Sequence, residues 1–430
     1  MMQEVLPLPR RAWVLDTDLG WDPDDVVALL ILYQHALQRR EPLVVITSAE
    51  VNDGARARAV RWILRQLGDE HDEVLVISGA AQAPSPTHAP QGIATSLEEA
   101  SAHATTAVVS PALALDTIQD FICRQRAEGR SVCWIGIGAS TNLAALLARS
   151  PSLSPSSSPF LPCLVVSMLA CWPDDSSGRK DVETNVRLDH VAACAVVAGC
   201  EEQRIPLAIV PLDTTGFGLL WHARESGETL VDVPDVKRLL PPAIADVIRL
   251  NCGQVTAAEV ATAATGGGTA AAAAAAIGVP KKHYNHPSAL HDPLTVIIAI
   301  RGVEHALDDG EGEAAADAAT RTRAPLFARS RLELEPSSGL VLSIAAEDKA
   351  LRARRAVHEQ CLVPAFWTDE RFGKRYMSLE AGDAGNCFIA LGPLTHKERE
   401  VFVEHMSSII STMAATTATG ASPASASSSS

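Results

Sequence analysis

The chain has 430 residues, 47% of them hydrophobic, enough for one large core or two domains. Its net charge of −15 argues against nucleic acid as a partner, because such binding needs a basic surface. No apolar run approaches the length of a membrane span, and Met1 to Arg11 lack the apolar centre of a signal peptide, so neither membrane insertion nor export is expected.

Ala12 to Leu15 is a short apolar run of strand type. Asp16-Thr17-Asp18-Leu19-Gly20-Trp21-Asp22-Pro23-Asp24-Asp25 follows, and Val26 to Tyr33 then has the pattern of a buried helix. Pro23 suits the first turn of that helix and Asp22 its N-cap. Five carboxylates thus crowd the place where a strand ends and a helix begins. The helix dipole favours them by only about 0.3–1 kcal/mol, too little to offset their repulsion. A hard cation bound by their oxygens, calcium or magnesium, offsets it. Asp16-x-Asp18-x-Gly20 also opens like an EF-hand loop. That loop needs a glutamate at its twelfth position, which here is Val27, and a strand precedes it in place of a helix.

Leu43 to Ser48 is a second strand, Glu50 to Gly54 a turn, Ala55 to Leu67 a helix ending at Gly68, and Val74 to Gly79 a third strand. Ala81 to Pro111 reads as irregular. Pro111 to Arg126 is an amphipathic helix and Ser131 to Gly138 a strand. Ala139 opens another helix, in which Thr141-Asn142 alone is no more than a cap. Ser150 to Pro159 is a Ser/Pro surface insertion. Leu161 to Leu169 and Ile205 to Asp213 are strands, and Thr256 to Ala276 is low in complexity. His291-Asp292-Pro293 precedes an aliphatic helix; standing alone, Asp292 is a cap and His291 a loop residue. Glu304 to Ala318 reads as an acidic insertion. Arg329 to Leu334 and Leu340 to Ala345 read as strands of a small C-terminal sheet. Asn386 to Leu391 and Thr395 to Ser411 read as a closing strand and helix.

This alternation predicts an α/β fold, with a mostly parallel central sheet, open and Rossmann-like, and helices on both faces. One domain is expected over residues 10–412, with insertions near 150–159, 256–276 and 304–322. Residues 413–430 are a Ser/Ala/Thr tail too poor in apolar residues to fold. The nine cysteines are scattered, with no Cys-x-x-Cys pair, which reads as reduced thiols in a cytoplasmic protein.

The run Asp16-Thr17-Asp18-x-Gly20-x-Asp22-x-Asp24-Asp25 before an aliphatic helix resembles the signature of the inosine/uridine-preferring nucleoside hydrolases, in a longer variant with two extra residues before the Asp-Asp pair. Four further pieces match in order: Asn52 after the second strand, Gly138-x-x-Thr141-Asn142, Glu183-x-Asn185 with Asp189 four residues on, and His291-Asp292-Pro293. The resemblance covers roughly residues 10 to 410. It implies a nucleoside-hydrolase-like fold that hydrolyses the N-glycosidic bond of purine or pyrimidine ribonucleosides to free base and ribose, in nucleoside salvage. It implies a calcium ion held by Asp18, Asp25, Asp292 and the main-chain carbonyl of Thr141. Asp18 would take the proton of the water this ion activates. His291 would be the general acid for the departing base, a role that its ordinary pKa suits near neutrality. Asp24, Asn52, Glu183 and Asn185 would hold the ribose. Asp16 would orient the loop, and Asp22 is the variant's extra carboxylate. Family members are commonly dimers or tetramers, so a homo-oligomer is implied.

Two departures stand out. Thr184 replaces an aromatic residue, and Asp174-Asp175-Ser176-Ser177-Gly178 replaces a run that carries a sugar-binding asparagine. His88 and His103 are the candidates for meeting the base, whose identity stays open. Two other classes are weighed against hydrolysis. A ribonucleoside- or ribose-binding member of the same fold with impaired turnover is favoured by the altered stretch from Ala81 to Pro111 and by the lost asparagine, and opposed by Asp18 and His291. A metal-dependent phosphohydrolase would place lysine or arginine at the phosphate, and no lysine lies near the aspartate loop.

Overall fold

The computed structural model describes residues 10–20, 24–81, 93, 95–102, 108–150, 159–170, 183–211, 215, 244, 291–306, 327–334, 341–346 and 387–390. Asp22, His88, His103, the Ser/Pro insertion at 151–158, the stretch 256–276 and the tail at 413–430 lie outside the described residues. So does the helix expected at Thr395 to Ser411.

The first half of the chain alternates as the apolar pattern requires. β1 (Arg11–Thr17) leads to α1 (Asp24–Arg39), β2 (Leu43–Thr47) to α2 (Ala55–Gln66), and β3 (Leu75–Ile77) to α3 (Thr95–Ser101). A two-residue strand, β4 (Val108–Val109), and a 3-10 turn (Pro111–Leu113) precede α4 (Ala114–Ala127). Then come β5 (Ser131–Gly136), α5 (Thr141–Ala148), β6 (Leu164–Met168), α6 (Thr184–Leu188), α7 (His190–Glu202) and β7 (Leu207–Val210). α8 (His291–Ala306), β8 (Phe327–Leu334), β9 (Val341–Ala346) and β10 (Cys387–Ala390) complete the set. The stretch from Ala81 to Pro111 is therefore not wholly irregular: it holds α3 and β4. α8 also runs into the acidic stretch expected to be an insertion, as far as Ala306.

The described strands form one sheet in the order β4-β3-β2-β1-β5-β6-β7-β10-β8-β9. Strands β4 through β10 in that order pair in parallel, and the β8–β9 hairpin is joined to β10 antiparallel. The expected small C-terminal sheet is thus not separate. β10 lies between β7 and β8 and welds the hairpin to the main sheet.

Side chains alternate across the pleat, so β1 feeds two cores. Trp13 and Leu15 pack with α1, α2 and α8, whereas Ala12 and Val14 pack with α4, α5 and α7. α1 is apolar nearly all round from Val26 to Tyr33, as a helix must be when it lies between a sheet and another helix, here α8. Among the described residues, no helix is long and apolar enough to cross a membrane.

Candidate metal and active site

The sheet order reverses at β1. The chain runs outward from it through β2, β3 and β4 on one side, and resumes at β5 on the other. Open α/β sheets bind ligands at the carboxyl ends of the strands beside such a reversal. β1 ends there at Thr17, level with Thr47 of β2, while Asp16 is level with Gly136 of β5.

The aspartate loop starts from this point. The Thr17 hydroxyl donates to Asp25 Oδ1 and accepts the Leu19 N–H at 3.1 Å, tying the end of β1 to the first turn of α1. Asp24 Oδ1 accepts the N–H of Asp25 at 3.1 Å, and its Oδ2 accepts the N–H of Asp292, in the first turn of α8, at 3.4 Å. Two helix N-termini therefore converge with their carboxylates. Asp24, Asp25 and Asp292 are 3%, 4% and 6% exposed, and their ligand oxygens lie within 4.8 Å of one another. Three buried carboxylates so close repel strongly, and a cation among them relieves the repulsion. Hard oxygen donors on rigid helix ends suit such an ion, so the trio can hold a metal.

Asp16 is buried beside them. Burial pushes its carboxyl well above the usual range, opposed by hydrogen bonds from Asn142 and Ser48 and reinforced by the charge of Asp18. The Asn142 amide donates to Asp16 Oδ1 at 3.1 Å and to the Thr47 carbonyl at 2.9 Å, and its Oδ1 accepts the Ala80 N–H at 2.8 Å. Asn142 thus stitches together the ends of three strands, although its sequence context offered only a helix cap. Asp18 is partly buried, and its charge acts on both Asp16 and Glu183. The Thr141 hydroxyl donates to Asp189 Oδ2 at 2.7 Å, while Asp189 Oδ1 caps α7 through the Ala192 N–H at 3.0 Å.

The residues expected at the ribose are placed as follows. Asp24 stands in the carboxylate trio. Glu183 is buried as the N-cap of α6, accepting the N–H groups of Asn185 at 2.7 Å and Val186 at 3.1 Å. Burial pushes its carboxyl up to about 7 despite those donors. The Asn185 amide donates to the Ile137 and Met168 carbonyls, both at 3.1 Å, beyond β5 and at the end of β6. Asn52 is exposed, with φ of 46°, and donates to Glu98 of α3 at 2.9 Å.

His291 is the first residue of α8 and partly buried. Its Nδ1 lies 2.6 Å from the Thr215 hydroxyl. Desolvation lowers the imidazole to about 4, so the ordinary pKa expected from sequence does not hold here: the resting ring is neutral at neutral pH.

Two residues near the loop escaped the sequence reading. Glu50 is 7% exposed; its Oε1 accepts the Arg56 N–H at 2.8 Å and its Oε2 the Ala57 N–H at 3.2 Å. Arg56 itself is 1% exposed. A signal existed: Gly54 stands at the N-cap of α2 with no side chain to cap it, so another carboxylate had to serve.

A family model described as inosine-uridine preferring nucleoside hydrolase matches residues 13–339, and the chain belongs to that family. Among solved structures, an inosine-guanosine nucleoside hydrolase is similar at a TM-score of 0.51 and 13% identity, over 93% of this chain and 98% of that one. An inosine-uridine preferring nucleoside hydrolase from Bacillus anthracis gives 0.49 and 12%, over 94% and 99%. The type III effector protein XopQ, solved with adenosine diphosphate ribose, gives 0.46 and 20%, over 68% and 82%. No curated protein sequence matches the chain.

Proposed function

We propose that this protein hydrolyses the N-glycosidic bond of ribonucleosides, releasing free base and ribose. The observation that carries this reading is the buried trio Asp24, Asp25 and Asp292 beside β1, in a chain of the nucleoside hydrolase family. We assign calcium to Asp25 and Asp292 of the trio, with Asp18 and the Thr141 carbonyl as further ligands, because flexible six- to eight-fold oxygen coordination suits that ion. Bound there, calcium would polarise a water and lower its pKa. Asp18, less buried than the trio, takes the proton of the attacking water. Asn52, Glu183 and Asn185 hold the ribose hydroxyls. Asp24 faces the positive charge that grows on the sugar, since glycosidic cleavage passes through an oxocarbenium-like state. In the tautomer in which the Thr215 hydroxyl donates to Nδ1, the neutral His291 carries its proton on Nε2 and hydrogen-bonds the departing base; acting as the general acid, it would transfer that proton from the imidazolium and return to the neutral ring.

A second reading, ribonucleoside binding with impaired turnover, draws on the Asn52 amide being engaged by Glu98 and on the neutral His291. One assay separates the readings. The protein is incubated with inosine, uridine, 2′-deoxyinosine and p-nitrophenyl phosphate, with calcium and with a chelator, and free ribose and free phosphate are measured. Hydrolysis predicts ribose from inosine or uridine, loss of activity on chelation, and deoxyinosine slower by roughly 10⁴-fold, as at sites built around a substrate hydroxyl. Inosine binding by calorimetry without ribose release would favour the binding member. Free phosphate alone would point to phosphohydrolysis.

A further inference from the structure

Arg56 lies in the first turn of α2, outside every piece of the family signature, yet its side chain reaches the aspartate loop. Nη1 donates to the Asp18 carbonyl and to the Leu19 carbonyl at 3.0 Å, and Nε donates to the Ala49 carbonyl, just past β2, at 2.9 Å. The guanidinium thus joins the loop after β1 to the loop after β2. Its own main chain is fixed from behind, because Glu50 Oε1 accepts the Arg56 N–H at 2.8 Å, and Glu50 is in turn held by the Thr47 hydroxyl and the Val51 N–H. Gly20 leaves room for the contact: a Cβ there would stand 2.7 Å from Arg56 Nη1.

We propose that Arg56 is a positioning residue for the aspartate loop, fixing the direction in which the Asp18 carboxylate leaves the main chain. The carbonyl that the guanidinium grips belongs to Asp18 itself, so rotation of that residue's peptide would break the contact. A rigid fork with several donors suits this task, whereas an ammonium is a point charge on a flexible stem. The fixed positive charge also offsets part of the carboxylate repulsion in the loop. The inference rests on the proposed role of Asp18 as ligand and base.

The test uses the full chain, with calcium affinity measured by calorimetry and kcat and KM measured on inosine. Arg56→Lys keeps the charge and loses the fork. It is expected to weaken calcium binding by about tenfold, as loss of a residue supporting a metal ligand does. It should lower kcat by roughly 10²-fold, the effect of a slight misplacement of a reacting group. KM should stay within about threefold, because the interactions that bind the ribose are untouched. Gly20→Ala crowds the same guanidinium from the other side and should shift both quantities in the same direction. It decides the matter if the lysine variant does not fold. Native calcium affinity and kcat in a folded variant, with only the melting temperature lowered, would reduce Arg56 to packing and overturn the proposal. A native chain that binds calcium but leaves inosine intact would overturn the activity instead, and the calcium affinities of the variants would still decide the role of Arg56.

Discussion

Each buried carboxylate around the aspartate loop behaves according to its surroundings. Glu183 makes this measurable, because burial pushes it up to about 7 from its ordinary 4.5. Between about pH 4.5 and 7 the unfolded chain gives up this proton while the folded chain keeps it. The folded state then binds more protons, so this group's contribution to stability is full below about 4.5 and is lost as pH rises through about 7. Urea denaturation of the metal-free protein should therefore show the native chain losing stability relative to Glu183→Gln between about pH 5 and about pH 7.5. A gap that stays constant or moves the other way would mean that Glu183 ionises freely in the folded state. At this scale the sequence was informative where neighbours in the chain are neighbours in space. Asp24 and Asp25 could be read as a pair at a strand–helix junction. The approach of Asp292 to Asp24 could not be read from spacing, since it depends on how α8 packs against α1, and only the resemblance to a family brought Asp292 forward. Arg56 was hidden for a similar reason: an arginine in an amphipathic helix looks like a solvated one until the neighbouring loop is in place.

Helices and strands with strong apolar patterns were legible, and their ends agree within a few residues. The expected helix from Ala55 to Leu67 is α2, and the expected strand from Leu43 to Ser48 is β2. α7, 13 residues long, was not expected, and neither were the shortest elements. β4 has two residues, too few to alternate, and exists because β3 offers it a parallel edge. The strands are also packed more tightly at their carboxyl ends than a pattern can convey. A Cβ on Gly138, just beyond β5, would lie 2.3 Å from Ser48 Oγ and 2.6 Å from the Asp18 N. Gly138→Ala should accordingly destabilise the protein by about 1–3 kcal/mol, the usual cost of overpacking, seen as a lowered urea midpoint at unchanged slope. An unshifted midpoint would mean that the loops beside β1 yield more easily than their hydrogen bonds suggest.

Across the whole molecule, strand type was readable in the C-terminal region but strand partners were not. β8 and β9 were expected to make a sheet of their own, and they reach the main sheet only through β10. Such pairing depends on contacts far apart in sequence, which local patterns do not carry. β10 also covers β7, whose unpaired edge would otherwise be open to other chains. A chain ending before Cys387 should melt at lower temperature and associate on size-exclusion chromatography. A monomer with the native melting temperature would show that the hairpin can seat on β7 without β10.

The late position of β10 has a consequence for the order of assembly during synthesis. β1 to β7 emerge from the ribosome in one continuous stretch and can pair while translation continues. α8 follows, and once it is made Asp24, Asp25 and Asp292 are all present, so the carboxylate trio can come together while the sheet still ends at β7. The β8–β9 hairpin forms next, with no seat until Cys387–Ala390 is translated. A nascent chain would therefore pass through a period in which its ion site can be complete while one side of its sheet is exposed, and an ion captured in that interval would stabilise the half-built molecule before its last strand closes it.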